Sequence, residues 1–475
     1  PLALARRPRM PMGSKARVVS SEEHPWGPRD FLLPALAILI AAGAMGSMLE
    51  MSTVHPHSLW KLASKLLWKN ASVRPPVLLT LTLIGWAGVM RVCRSANMNL
   101  ELVLGGPTVP PAAILHAAFV LLAAVMCAHA VHIYASETPG LTWRPWLMCN
   151  LLLHLTVLGL ALWPRGLAYA SRASLISTLV ESVIAPFAPV SFWHVIVADY
   201  LTSMAKAFSD LQLTACLSSH IFAHDAAADD GGAYIRTTEL WDTHHGACAG
   251  SRANALMLAL PFWWRLMQCL RVYHDTREQK NLWNALKYST AFPLVYAGYL
   301  RRHEPSAAHD RLFLVAAVVQ SSYCFIWDVL MDWGLPSFAQ GLGAKSGSKC
   351  KPGFRDILLV SKRQWAYYLL ALFNLCLRFL WTLSIFGHLP GRGGGMFFIE
   401  VAEIARRTVW AIFRIEWEVV VKVYHSAHAH ETVALRTLNS SFRGTGANAS
   451  FGSSMSGESE ESEMEAAERR AIAYL

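Results

Sequence analysis

Long stretches without a charged side chain constrain this chain more than any other feature. Phe31 to Leu49, Pro75 to Met90 and Pro107 to Ser136 carry none. Runs of that length reach, or nearly reach, what a helix needs to cross about 30 Å of hydrocarbon. A buried soluble core would break them with polar faces at helical spacing. Hydrophobic residues are 54% of the 475 and charged residues only 16%, against about a quarter charged in soluble domains. The expected fold class is all-α, a polytopic helical membrane protein.

Spanning segments are expected near 31–49, 74–91, 110–134, 145–164, 253–272, 283–301, 311–332 and 365–388. Residues 175–221 read as one helix broken by Pro186 and Pro189, and 396–423 as an amphipathic helix, for a total of about ten. Up to residue 174 these segments are nearly charge-free, whereas from Asp199 onward almost every one holds an ionisable group. The chain therefore divides into a basic segment 1–30, four plain spans over 31–174, a charged domain over 175–425 and a tail over 426–475. The tail is Ser/Gly-rich, then acidic through Glu458, Glu460, Glu461 and Glu463, a composition expected to be disordered. Residues 222–252 and 336–364 read as exposed loops.

The basic start does not read as a signal peptide, because the apolar run after it is too long and lacks a small-residue cleavage site. Arg6, Arg7, Arg9, Lys15 and Arg17 place the N-terminus in the cytosol, although Lys61, Lys65 and Lys69 in the next loop pull the other way. The net charge of +10 raises nucleic acid as a partner. It is set aside, because the basic residues sit at segment ends or within apolar segments, not on a basic and aromatic face. Nine cysteines show no C-x-x-C and no regular spacing; Cys127, Cys149, Cys269 and Cys376 read as small core residues. Neither a disulfide framework nor a zinc site is expected.

Charge at bilayer depth is costly, so such groups pair, face inward or perform a function. Asp199 and Thr202 share a helix face in IVADYLTS. Arg265 and Arg271 lie in LPFWWRLMQCLRVYHDT, with Asp275 four residues after Arg271. Asn284, Lys287 and Tyr288 lie in NALKYST, and Asp328 and Asp332 are four apart in IWDVLMDWG. Arg378 and Trp381 sit in LRFLWT, followed by Glu403, Arg406, Arg407, Trp410 and Arg414 along the last helix. Structural ion pairing is the competing role for each: Glu403 with Arg407 and Arg271 with Asp275 at i, i+4, and Arg414 snorkelling to headgroups. As a set, Arg378, Arg406, Arg407, Arg265 and Lys287 outnumber the local carboxylates, and a surplus of buried positive charge calls for a mobile anion. Arg suits an oxyanion such as phosphate, because its planar fork of donors stays charged when desolvated.

Enzyme motifs are missing: there is no G-x-S-x-G, no H-E-x-x-H and no phosphate-cradling Gly loop, and Gly391 to Gly395 reads as a turn. His425, His428 and His430 lie at a helix end with no acid or Cys to close a metal site. No catalytic residue, cofactor or metal is expected.

The segments APF-x-x-V-x-F, ADYLTS, LPFWWRLMQCLRVYHDT, NALKYST, YCFIWDVLMDWGL, LRFLWT and EIARRTVWAIFRIEWE occur in that order between about Ala185 and Glu418. Together they resemble the EXS domain of the xenotropic and polytropic retrovirus receptor and plant phosphate-exporter family. The resemblance implies export of inorganic phosphate through a helical bundle in the C-terminal part. It implies substrate-binding roles for Asp199, Thr202, Lys287, Tyr288, Asp328, Asp332, Arg378, Arg406 and Arg407, and gating by Trp381. Arg265, Arg271, Asn284 and Glu403 would support them. Thr202 stands where the best-known members carry Asn, and His274 where they carry Arg. Such exporters carry an N-terminal SPX domain, for which the roughly thirty residues before the first expected span leave no room. Expected partners are inorganic phosphate, membrane lipids and a second copy of the chain as a homodimer. The expected home is the plasma membrane or the Golgi membrane, with a Golgi trafficking or retention factor as the alternative function.

Overall fold

The computed structural model describes residues 71–137, 154–158, 169–228, 237–335, 355–382 and 394–444, apart from positions 107, 156 and 356. Every long regular element among them is helical. In chain order the helices are α1 (Arg74–Ser95), α2 (Leu100–Leu104), α3 (Pro111–Glu137), α4 (Tyr169–Val183), α5 (Phe192–Ser203), α6 (Ala205–Ala228) and α7 (Thr237–Gly250). They continue as α8 (Arg252–Thr276), α9 (Gln279–Ser289), α10 (Ala291–His303), α11 (Ala307–Trp327), α12 (Gln364–Arg378) and α13 (Gly394–Gly444). A π-helical turn, Asp328–Asp332, extends α11.

This is a helical membrane protein. Among the described residues α1, Pro111–Ala128 of α3 and Ala307–Asp332 are long and apolar enough to cross a bilayer. Their outward faces are apolar as well: Leu312, Val315, Val319 and Ile326 are exposed on α11, and Tyr368, Leu369 and Leu372 on α12. Such stripes suit lipid, not water. The spans expected at 31–49 and over most of 145–164 lie outside the described residues.

Helix α13 is the hub of the bundle. It packs on α1, α5 and α12, and Trp410, Ala411 and Ile415 join Met90, Cys93, Ile196, Tyr200 and Tyr367 in one buried core. A Cβ at Gly85 would run into the Thr408 hydroxyl, so α1 approaches α13 closely only because that residue is glycine. At the other end of α1, Arg74 Nη2 pairs with Asp210 Oδ1 of α6 at 2.8 Å, both buried.

Helix bounds differ from the sequence reading mainly at breaks. The segment 175–221 breaks twice, around Pro186 and Pro189 as expected and again at Met204, which carries neither proline nor glycine as a signal. Thr290 divides the expected span 283–301 into α9 and α10. Residues 222–252 are not simply a loop, since α6 runs to Ala228 and α7 begins at Thr237. The last helix continues past residue 423 to Gly444.

Candidate functional site

Four helix interruptions converge where the charged residues gather: the ends of α5, α9 and α12, and the π-turn after α11. Non-helical backbone at membrane depth is tolerated where it is buried in protein or lines a cavity. Here the breaks border a cavity of about 240 Å³. Its wall includes Thr202, Lys287, Tyr288, Ser321, Asp328, Arg378, Trp381, Glu403 and Arg407. That volume is below the roughly 300–1,000 Å³ of drug-sized ligand pockets and fits a small ion.

Helix α5 begins in a capping box formed by Ser191 and His194 and carries Asp199 in its last turns. The Asp199 carboxylate accepts from Arg265 Nε at 2.8 Å, Arg265 Nη2 at 3.4 Å and Tyr288 Oη at 2.5 Å. Arg265 Nη1 also donates to Gln268 Oε1 at 3.1 Å. All three residues are buried, and Asp199 and Arg265 lie behind the cavity wall. They fix α5, α8 and α9 to one another and orient Tyr288 at the wall.

Asp328 is the second anchor. Its Oδ2 accepts from Asn374 Nδ2 at 3.0 Å and from Arg378 Nη2 at 2.8 Å and Nε at 3.2 Å, and Arg406 Nη1 lies 3.6 Å away. The wider π-turn lets Asp328 and Asp332 serve different neighbours. Asp332 Oδ2 accepts from Trp410 Nε1 at 3.2 Å, with Lys287 Nζ at 3.9 Å, and Arg414 Nε lies 3.8 Å from Asp332 Oδ1. Asp332 and Arg406 therefore stand beside the cavity, outside its wall.

Two expected pairings change. Glu403 does not pair with Arg407: it takes Arg406 in a fork, Nε to Oε2 at 2.7 Å and Nη2 to Oε1 at 2.6 Å. The i, i+3 neighbour wins because Arg407 points to the end of α5, donating to Ser203 Oγ at 2.8 Å and Thr202 Oγ1 at 3.3 Å. Arg414 does not snorkel, since it donates to Glu418 Oε2 at 3.1 Å and lies over the Phe192 ring at 4.7 Å. The Arg271–Asp275 pair is present at 2.8 Å, and Arg271 also donates to the Pro186 carbonyl, away from the cavity. That guanidinium holds the exposed Asp275 carboxyl below its usual value. Asn284 is also absent from the wall. The side chains of His425, His428 and His430 lie outside the described set.

Of the five cations Arg265, Lys287, Arg378, Arg406 and Arg407, the first four pair with the carboxylates of Asp199, Asp328, Asp332 and Glu403. Among the described residues Arg407 has no carboxylate within 4.0 Å; its polar contacts are hydroxyls, and its guanidinium lies 4.5 Å from the Trp410 ring centroid. Lys287 is nearly as available, its nearest carboxylate oxygen being 3.9 Å away and the Tyr288 and Trp327 rings at 4.4 and 5.2 Å. Trp381 closes one side, its Nε1 donating to Ser321 Oγ at 3.0 Å.

Several participants escaped sequence reasoning. Asn374 bridges Asp328 and Arg406, accepting from Arg406 Nη1 at 3.1 Å. Ser203 joins Arg407 to Glu403, donating to Glu403 Oε1 at 2.6 Å. Arg355 and Glu416 form a fully buried pair. Glu400, buried one turn before Glu403, has no hydrogen-bond partner for either oxygen among the described residues.

Sequence comparison matches the EXS family over residues 71–420. "SPX and EXS domain-containing protein 1" of Dictyostelium discoideum is 33% identical over 256 residues, covering 52% of this chain and 25% of that protein. "Solute carrier family 53 member 1" of Homo sapiens is 32% identical over 262 residues, covering 53% and 36%. "Xenotropic and polytropic retrovirus receptor 1 homolog" of Xenopus laevis is 31% identical over 264 residues, covering 53% and 35%. The matched region spans about a quarter to a third of the length of these relatives.

Proposed function

The chain belongs to the EXS family, and from that premise we propose that it moves inorganic phosphate across its membrane through the cavity between α5, α9, α11, α12 and α13. The observation that carries this function is the position of Arg407, a buried guanidinium on the cavity wall facing hydroxyls with no carboxylate beside it among the described residues. A small oxyanion supplies the missing charge. Arg407, Lys287 and Arg378 would offer it donors from three helices, while the Thr202 and Tyr288 hydroxyls border the same space. One relative is named as a solute carrier, which agrees with a transported ion.

Release matters as much as capture. A conduction site must hold its ion weakly enough to let it leave. Arg378 is already engaged by Asp328, so a bound anion competes with a carboxylate for the same guanidinium. Asp199 and Asp332 hold neighbouring cations in place without entering the wall. Trp381, tethered to Ser321 of α11, is the side chain placed to close the cavity, and swinging it aside breaks that hydrogen bond. No covalent step is involved. The plain helices over 31–174, the EXS bundle over 175–425 and the tail are assigned as separate parts on the same proposal.

Purified protein in sealed liposomes tests this directly. The wild type should pass radiolabelled phosphate, and Arg407→Ala and Arg378→Ala should each reduce flux at least tenfold. Undiminished flux in both variants would leave these charges as staples of the bundle. Cellular phosphate efflux combined with localisation then separates a transporter from a Golgi retention factor.

A further inference from the structure

Away from the cavity, α6 and α7 hold a second constellation. Cys216 and His220 are one turn apart on α6, and His244 and Cys248 one turn apart on α7. The helices face each other in mirrored register. Cys216 is disulfide-bonded to Cys248, with Cα atoms 5.8 Å apart, and the His220 and His244 rings stack with centroids 4.2 Å apart and planes 9° from parallel. The disulfide corrects the sequence expectation that none would form.

Ligand atoms of Cys216, His220 and Cys248 all lie within 4.8 Å of one another. Donors around a tetrahedral zinc ion are about 3.3–3.8 Å apart, as follows from bond lengths of about 2.0–2.3 Å. His244 stacks on His220, with ring centroids 4.2 Å apart, and supplies a second imidazole beside them. Two sulfurs and two imidazoles supplied by C-x3-H on one helix and H-x3-C on its neighbour make a complete Cys2His2 set. None of the four belongs to the cavity wall.

We propose that this is a redox-exclusive metal site: as a dithiol it holds one Zn2+ between α6 and α7, and as a disulfide it holds none. A dithiol reductant delivers two electrons and two protons to the Cys216–Cys248 bond and itself becomes a disulfide. Zinc then binds the two thiolates, releasing both thiol protons to water, with His220 and His244 as neutral ligands. Oxidation runs the same exchange backwards and expels the ion. A thiolate pair favours zinc or another soft ion over magnesium or calcium. The site stands apart from the phosphate proposal and survives its failure.

Full-length protein in detergent, reduced with dithiothreitol and desalted without air, is titrated with Co2+ as a spectroscopic substitute for zinc. The expected result is one ion per chain, with the intense visible bands of tetrahedral cobalt and a thiolate charge-transfer band, all displaced by Zn2+. Oxidised protein should show neither band. His220→Gln with His244→Gln keeps the disulfide available as a check on folding and should weaken binding at least a hundredfold in the reduced state. Cys216→Ser should remove half of the charge-transfer intensity or abolish binding. Equal cobalt spectra in the double histidine variant and the wild type, or tight binding by the oxidised protein, would overturn the site.

Discussion

Arg406 and Arg407 are adjacent in sequence and opposite in circumstance. Arg406 is locked into a fork with Glu403 and lies 3.6 Å from Asp328, whereas Arg407 reaches only the hydroxyls of Ser203 and Thr202 and the face of Trp410. One is tied into the bundle by ion pairs, and the other has no carboxylate within 4.0 Å among the described residues.

Their replacements should therefore fail differently. Arg406→Ala leaves Glu403 and Asp328 short of a counter-charge inside the bundle, and breaking a buried pair costs about 3–5 kcal/mol. Arg407→Ala gives up two hydrogen bonds to hydroxyls, each worth about 0.5–1.5 kcal/mol, or up to about 3 with a charged donor. Thermal denaturation in one detergent should show a large drop in midpoint for Arg406→Ala and a small one for Arg407→Ala. Phosphate flux should be lost in both, with folded protein remaining only in the second. Equal loss of stability would remove the distinction.

The Asp199–Arg265–Tyr288 network makes a second case. Asp199→Asn alone strands the buried Arg265 guanidinium, again at about 3–5 kcal/mol. Exchanging the whole set, Asp199→Leu with Arg265→Met and Tyr288→Phe, strands no charge and takes a donor only from the neutral Gln268 Oε1. The triple variant should denature closer to wild type than the single variant does. A triple variant less stable than Asp199→Asn would mean that the polar network itself specifies the packing of α5, α8 and α9.

The Cys216–Cys248 bond also orients the chain. Disulfides persist in oxidising compartments, which predicts that the facing ends of α6 and α7 lie on the lumenal or extracellular side. Ala71 packs beside them, so α1 starts at that side and runs to the opposite one. Helix α8 also starts at that side, and α10 returns to it, with His303 Nε2 2.6 Å from the Gly250 carbonyl oxygen. In sealed vesicles of known orientation, Glu304→Cys should react with a membrane-impermeant maleimide from the side of the disulfide. Lys280→Cys should react from the opposite side, both in a background where the other free cysteines are serine. Labelling of both from one face would overturn this topology.

Much of the membrane character was legible in the sequence, because charge-free runs such as Pro75 to Met90 have few other uses. The ordered motifs of the C-terminal part were equally plain, and the family match covers residues 71–420. Local pairs such as Arg271 with Asp275 follow from helical spacing. What stayed hidden depends on the third dimension. The break at Met204 has no proline or glycine to announce it, whereas the one at Thr290 is marked by Pro293 in the first turn of α10, where a proline is tolerated at the start of a helix and not within one. Arg74 finds Asp210 across 136 residues, and Cys216 finds Cys248 across 32. Glu403 chose Arg406 over Arg407 because the end of α5 offered Arg407 two hydroxyls, which helical spacing alone does not reveal.

The π-turn at Asp328–Asp332 has a consequence for the length of the chain itself. A π-turn takes up about one residue more than an α-turn, so Val329, Leu330 and Met331 include a position that regular helix would not need. Deleting Leu330 should let α11 run on regularly while rotating everything after it by about 100°. Asp328 would keep Arg378, whereas Asp332 would turn away from Trp410 and Lys287. That single lost residue should silence phosphate flux in protein that still inserts and folds, a phenotype usually sought by changing a charge. The phase of the helix, one residue out of step, is as much a determinant of this site as its arginines are.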